Sequence, residues 1–246
     1  MPLTRPRHWL RWLIGAIVAL AALAAAGPFI YIHFFNGSTP TALSLSPTSS
    51  SSASSSSSSG GAATASTAAS GAVAGTWTVG SGSVVGYRVS EVLLGQNATA
   101  VGRTTSVTGH LTIQGGTATA ATFSVPMATV HSDKSQRDAQ FDGKIMDVAQ
   151  YPTGTFTLTS PIDLAPLPAG GVIKSYTAHG KLTLHGTTRA VTFTLTAERK
   201  GAQIQVLGQI PVLFSDYNIQ NPSLGGFVTT QDHGLLEFLL VFTKAA

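Results

Sequence analysis

From Trp77 to the C-terminus the apolar residues recur at every second position, and this period decides what the chain can fold into. Side chains alternate between two faces along a strand, whereas a helix needs apolar positions three and four apart. Val85, Tyr87 and Val89 alternate with Val84, Gly86 and Arg88. The same period runs through 121–127, 176–184, 191–195 and 204–210. Threonine fills many of the opposite positions, as suits a half-solvated pleated surface. Gly115-Gly116, Gly170-Gly171, Gly186 and Gly201 interrupt the runs as turns. The expectation is an all-β domain of about eight antiparallel strands, a number that closes into a barrel and so removes exposed edges. The last run, from Gly234 to Phe242, is apolar on both faces apart from Glu237, so it should be covered on both sides or border a cavity as well as a core. Residues 135–150 break the period and read as a loop with a short helix.

A barrel of this size is either filled by its own side chains or holds one elongated ligand. The small inward residues Ala121, Ala178, Gly180 and Gly208 favour a cavity, because they leave volume. The expected lining is Tyr87, Phe123, Val125, Phe156, Leu182, Leu184, Phe193, Phe214, Phe227 and Phe238. Such a lining selects for length of apolar contact rather than for a polar motif. The alternative is a non-catalytic interaction or structural domain with a filled core and an exposed apolar patch near 224–228.

The first 75 residues are a different kind of chain. Arg5, Arg7 and Arg11 precede a run from Trp12 to Phe35 that carries no formal charge. At ~1.5 Å per residue a helix of that length reaches about 36 Å, enough to cross a bilayer core. Aromatic residues stand at both ends, and the arginines place the N-terminus in the cytoplasm. A signal peptide cleaved near Ala24-Ala25-Ala26 is the competing reading, and the continuing apolar run through Ile32 favours a retained anchor. Residues 36–75 are rich in Ser, Gly and Ala and should form a disordered tether with a root-mean-square span of about 35 Å. The organisation read from the sequence is thus a basic tip at 1–11, a single-pass anchor at 12–35, a tether at 36–75 and an extracytoplasmic domain at 76–244.

Charge and residue chemistry exclude several functions. The net charge of +4 comes from 14 Lys+Arg against 10 Asp+Glu, and three of the arginines lie in the N-terminal tip. The domain is therefore close to neutral, and no nucleic-acid footprint is expected. Cysteine is absent, so no disulfide, thiolate nucleophile or cysteine metal site exists. His179 and His185 share the outward parity of their run and lie too far apart along a strand for one metal. His131 with Asp133, and Asp232 with His233, are the other clusters; an envelope enzyme using Asp232 and His233 is the least favoured reading, because no triad or metal spacing is assembled.

Several segments together resemble the YceI family of exported, lipocalin-like proteins. They are Trp77-Thr78-Val79 with Ser83, Val85, Tyr87 and Val89; 107–111, VTGHL; Arg137-Asp138 with Phe141, Met146-Asp147-Val148 and Tyr151-Pro152; 180–189, GKLTLHGTTR; and 214–219, FSDYNI. The chain departs from the pattern where Leu213-Phe214 replace a frequent arginine and Asn218 replaces a usual glycine. The resemblance implies an extended antiparallel eight-stranded barrel around an apolar tunnel, polyisoprenoid ligands, and no resident cofactor or catalytic residue. Arg137 and Asp138 would then face a ligand end-group or form a structural pair. The expected partners are an isoprenoid or other apolar lipid, the membrane through the N-terminal helix and, as a further option, a second copy in a homodimer.

Overall fold

Alternating β-branched and aromatic residues favour extended chain, and the computed structural model is accordingly almost all strand over the residues it describes: 17, 39–45, 73–93, 95–165, 172–223 and 228–245. The strands are β1 (Gly75–Val79), β2 (Val84–Leu93), β3 (Gln96–Thr104), β4 (Thr108–Gln114), β5 (Thr117–Pro126), β6 (His131–Ser132) and β7 (Thr153–Leu158). They continue with β8 (Ile162–Asp163), β9 (Lys174–Leu184), β10 (Thr187–Lys200), β11 (Gln203–Leu213), β12 (Val228–Thr230) and β13 (His233–Lys244). All described strands join one antiparallel sheet, and eight of them close a barrel in the order β1-β4-β5-β7-β9-β10-β11-β13, with β13 returning to β1. One short helix, α1 (Ser135–Gln140), runs into a π-turn at Phe141–Ile145.

Strand β13 serves two partners on one side. Leu235 to Leu239 pair with β2, and Phe242 to Lys244 pair with β1. Between them the chain turns a corner at Ser83, which is 2% exposed. Its hydroxyl donates to the Gly80 carbonyl (2.8 Å) and accepts from the Val241 amide (2.9 Å), tying the corner to β13. The hairpin β2–β3 then extends beyond the closed ring, with β6 at its edge. Strand β3 carries no clear alternation, which is why the sequence reading passes over it.

Inward side chains follow the parity expected for β2, β5, β9, β10 and β11, and form one core that includes Trp77, Ile113, Phe156, Phe193, Ile204 and Phe238. The inward glycines act differently from the expectation. A Cβ on Gly180 would lie 2.3 Å from the Phe156 ring, and one on Gly208 would lie 2.4 Å from the Phe238 ring. These glycines do not leave empty space; they give two aromatic rings room to lie across the bore. Asn218 adopts φ 54°, so it does occupy the left-handed position for which glycine is the usual choice.

The apolar run at 12–35 lies outside the described residues except for Ile17, and so does most of the tether. Among the described residues no helix is long and apolar enough to cross a membrane. Residues 39–45, within the stretch read as tether, do lie against the barrel: Arg88 donates to the Pro40 carbonyl at 2.8 Å, and Leu45 is 7% exposed. The turn read at Gly170-Gly171 falls outside the described residues, and so does the patch read at 224–228 except for Val228, which is half-buried in β12.

Candidate ligand-binding cavity

Four phenylalanines partition the barrel interior. Phe123 on β5, Phe156 on β7, Phe193 on β10 and Phe238 on β13 touch in a closed circuit, with centroid separations of 4.8 Å (123–156), 5.6 Å (156–193), 5.8 Å (193–238) and 5.9 Å (238–123). On one side of this plate lies a cavity of about 650 Å³. On the other lies an apolar void of about 60 Å³, lined by residues such as Leu111, Ala121, Ala178 and Phe242. Phe123 and Phe156 border both. The small residues Ala121 and Ala178 thus open only the lesser space. The larger one exists because β2 and β3 carry the wall beyond the closed ring, while α1 and its π-turn lie across the end.

The large cavity falls within the size range of small-molecule sites. Its walls include Tyr87, Phe123, Val125, Phe156, Leu182, Leu184 and Phe214, all among the expected lining. Phe193 and Phe238 do not line it; they back the aromatic plate and face the small void. Phe227 lies outside the described residues. The sequence reading missed Val89, Ala100, Met127, Phe141, Met146 and Ile219, which also form the wall. Val89 continued the alternation already seen in β2 and was recoverable; Phe141 and Met146 come from the irregular 135–150 stretch, where no period tells inward from outward.

Polar groups gather at the rim. Glu91, Lys134, Gln136, Arg137 and Gln140 line this part of the cavity. Arg137 pairs with Asp133 one turn away and with Glu91 at 3.4 Å. It does not pair with Asp138, its neighbour in sequence. Asp138 accepts instead from the Ser132 amide (2.8 Å) and hydroxyl (2.7 Å), fixing the start of α1 to β6. The Arg137–Asp138 pair considered from the sequence is therefore replaced by two separate structural contacts, and only Arg137 reaches the cavity. Two carboxylates already neutralise its guanidinium.

Tyr87 stacks on Phe141 with centroids 5.2 Å apart. Burial pushes its phenol up to about 12, and the positive charge of Arg137 offsets only part of this. The phenol therefore stays uncharged at any ordinary pH.

The remaining polar clusters stand apart from the cavity. Asp232 and His233 hydrogen-bond to each other at 2.8 Å but are 78% and 53% exposed. The His233 contact holds the Asp232 carboxyl below its usual range. His179 bonds Thr192 on the outside. His185 does not point outward as its parity implied: it sits in the β9–β10 turn at φ 46°, edge-on to Tyr151 at 4.6 Å and within 3.2 Å of the Tyr217 carbonyl. Among the described residues, no group of three His, Asp or Glu side chains gathers around a point that could hold a metal.

Fold and site together define an antiparallel barrel with an apolar cavity, floored by an aromatic plate and edged by paired polar groups. The chain belongs to the YceI-like domain family, whose pattern matches residues 77–242. No curated protein matches it significantly. Among solved structures it is similar to a polyisoprenoid-binding domain from Saccharophagus degradans implicated in plant cell wall breakdown, at 17% identity and TM-score 0.58, covering 70% of this chain and 99% of that one. It also matches Burkholderia cenocepacia BcnA at 25% identity and TM-score 0.49, over 63% of this chain and 95% of that one. A Campylobacter jejuni YCEI protein matches at 13% identity and TM-score 0.47, over 59% of this chain and 85% of that one.

Proposed function

We propose that this protein holds a lipid with a long apolar tail and an uncharged polar head, of the polyisoprenoid class, in the cavity on the open side of the aromatic plate. The observation that carries this reading is a cavity of about 650 Å³ whose wall is apolar and whose rim arginine is already paired. A filled barrel would have no such space. Each 100 Å² of tail removed from water contributes about 2.5 kcal/mol before the cost of ordering the chain. A phosphate or diphosphate head would meet Lys134 at the rim but would have to compete with Glu91 and Asp133 for Arg137. A quinone or alcohol head needs only hydrogen bonds, which Tyr87, Gln136 and Gln140 are able to offer. The polyisoprenoid-binding description of the Saccharophagus degradans domain supports the same ligand class.

In this reading the protein is a non-catalytic carrier or buffer with no resident cofactor. It is anchored by residues 12–35 with the barrel on the extracytoplasmic side, which the arginine-flanked apolar run supports. Native extraction of the full-length protein from its membrane, followed by mass spectrometry, tests the ligand. A long-tailed neutral lipid is expected; recovery of no apolar molecule, with no binding of a prenol of any length, would overturn the reading. Tighter binding of a prenyl diphosphate than of the matching prenol would overturn the choice of head.

A further inference from the structure

Glu237 points away from the barrel interior, yet it is 1% exposed. Its neighbours Leu236 and Phe238 face inward, so burial of Glu237 requires cover from outside. Arg88 and Arg103 supply part of that cover, reaching its two carboxylate oxygens at 3.3 Å and 2.7 Å. Each arginine also has a second partner outside the barrel. Arg88 donates to the Pro40 carbonyl at 2.8 Å, and Arg103 donates to the Thr41 carbonyl. Val101, paired opposite Arg88, also turns outward and is only 4% exposed. Leu45 is 7% exposed without belonging to the interior core.

We propose that residues 39–45, TPTALSL, form a docking strap, and that the Arg88–Glu237–Arg103 cluster is its receiving site on the outer face of β2, β3 and β13. The chemistry of the two sides fits. The strap has no charged side chain and offers backbone carbonyls; the site offers guanidinium N–H groups held in place by a buried carboxylate. Pro40 restricts its own φ and keeps Thr39 extended, so less conformational freedom is lost on docking than for a Gly/Ser chain. Leu43 and Leu45 are the only large apolar side chains between 36 and 72; Leu45 is buried and Leu43 half-buried.

The strap changes what the tether does. Only residues 36–38 separate it from Phe35, a reach of about 14 Å at most when fully extended. The barrel is therefore held at the surface of the membrane that 12–35 enters. This membrane placement rests on the anchor reading above; the docking does not.

The chain has no cysteine, so spin labels introduced at Ser44→Cys and Ser90→Cys, both exposed positions, report the docking in the full-length protein in lipid vesicles. One narrow distance is expected, and Leu45→Asp, which leaves the barrel interior untouched, should broaden and lengthen it. A broad distribution in the otherwise unaltered chain, or no response to Leu45→Asp in a protein that still melts cooperatively, would overturn the strap. Flotation of the same samples separates the two claims: a narrow distance in a protein that does not float with vesicles refutes the anchor and keeps the strap. Energy transfer from a Ser90→Cys dye to acceptors in the bilayer surface should fall when Leu45→Asp is introduced; unchanged transfer would overturn the strap's control of barrel height.

Discussion

Phe123 stands between two cavities, and its ring is the part of the aromatic plate least covered by other groups. It is half-buried, whereas Phe156, Phe193 and Phe238 are buried. Phe123→Ala should join the large cavity to the small void and let the barrel accept a tail longer by about one isoprene unit, the space left by a deleted ring that its neighbours only partly refill. Mass spectrometry of lipids captured from a mixture of prenol lengths measures this, and an unchanged length profile would show that the plate does not set tail length. Tyr87 leads to a prediction about pH. Its folded value of about 12 lies above the ordinary 10. Below pH 10 both states keep the proton, and the contribution to stability is complete. Between pH 10 and 12 only the unfolded chain ionises, so stability falls, by about 2–3 kcal/mol in total for a shift of this size. Burial shifts Tyr176 and Tyr217 in the same direction. Denaturant titrations at pH 9 and pH 11 should show the loss, and Tyr87→Phe should reduce it; equal losses with and without Tyr87 would assign the effect to the other two tyrosines.

At the scale of the element, β13 shows how a strand uses both faces. Its inner face carries Phe238 and Leu240 into the core, and its outer face is covered by the Arg88–Glu237–Arg103 cluster. The strand also borders the cavity through Gly234, Leu235 and Leu236, so it meets both a core and a cavity, and on the outer face Glu237 and Val241 are buried while Leu235 and Leu239 are half-buried. The change of partner from β2 to β1 depends on the Ser83 hydroxyl. Ser83→Ala would leave the Val241 amide without its acceptor in a buried place, a loss of about 1–3 kcal/mol. Thermal unfolding of the variant measures this, and Ser83→Thr should recover part of it; a wild-type melting temperature in Ser83→Ala would show that the corner is held by backbone pairing alone.

For the whole molecule, an unfilled barrel should be less stable than a loaded one. A ligand bound only by the folded state at 100 times its dissociation constant adds about 2.7 kcal/mol. For a domain of this size that raises the melting temperature by about 5–10 °C. The stripped full-length protein should show this rise with a long prenol and a smaller one with a short prenol at equal concentration, because apolar area scales with tail length. Equal shifts for both would argue against a length-reading cavity.

Strand existence, inward parity and the near-neutral domain were legible in the sequence, as was the share of the cavity wall that lies on β2, β5, β7 and β9. Each follows from a local rule, the two-residue alternation of a pleated strand or a count of charges, that needs no knowledge of the partner strand. What only the tertiary structure decided were relations across the barrel. Gly180 and Gly208 read as empty space until Phe156 and Phe238 are seen lying over them from neighbouring strands. Arg137 and Asp138 are adjacent in sequence but diverge, because α1 turns one toward Glu91 and the other toward Ser132. Residues 39–45 read as tether, since two leucines in a polar stretch promise little burial, and their partners Arg88 and Arg103 lie far along the chain. Local period sets which face a side chain takes; only the closed sheet sets what that face meets.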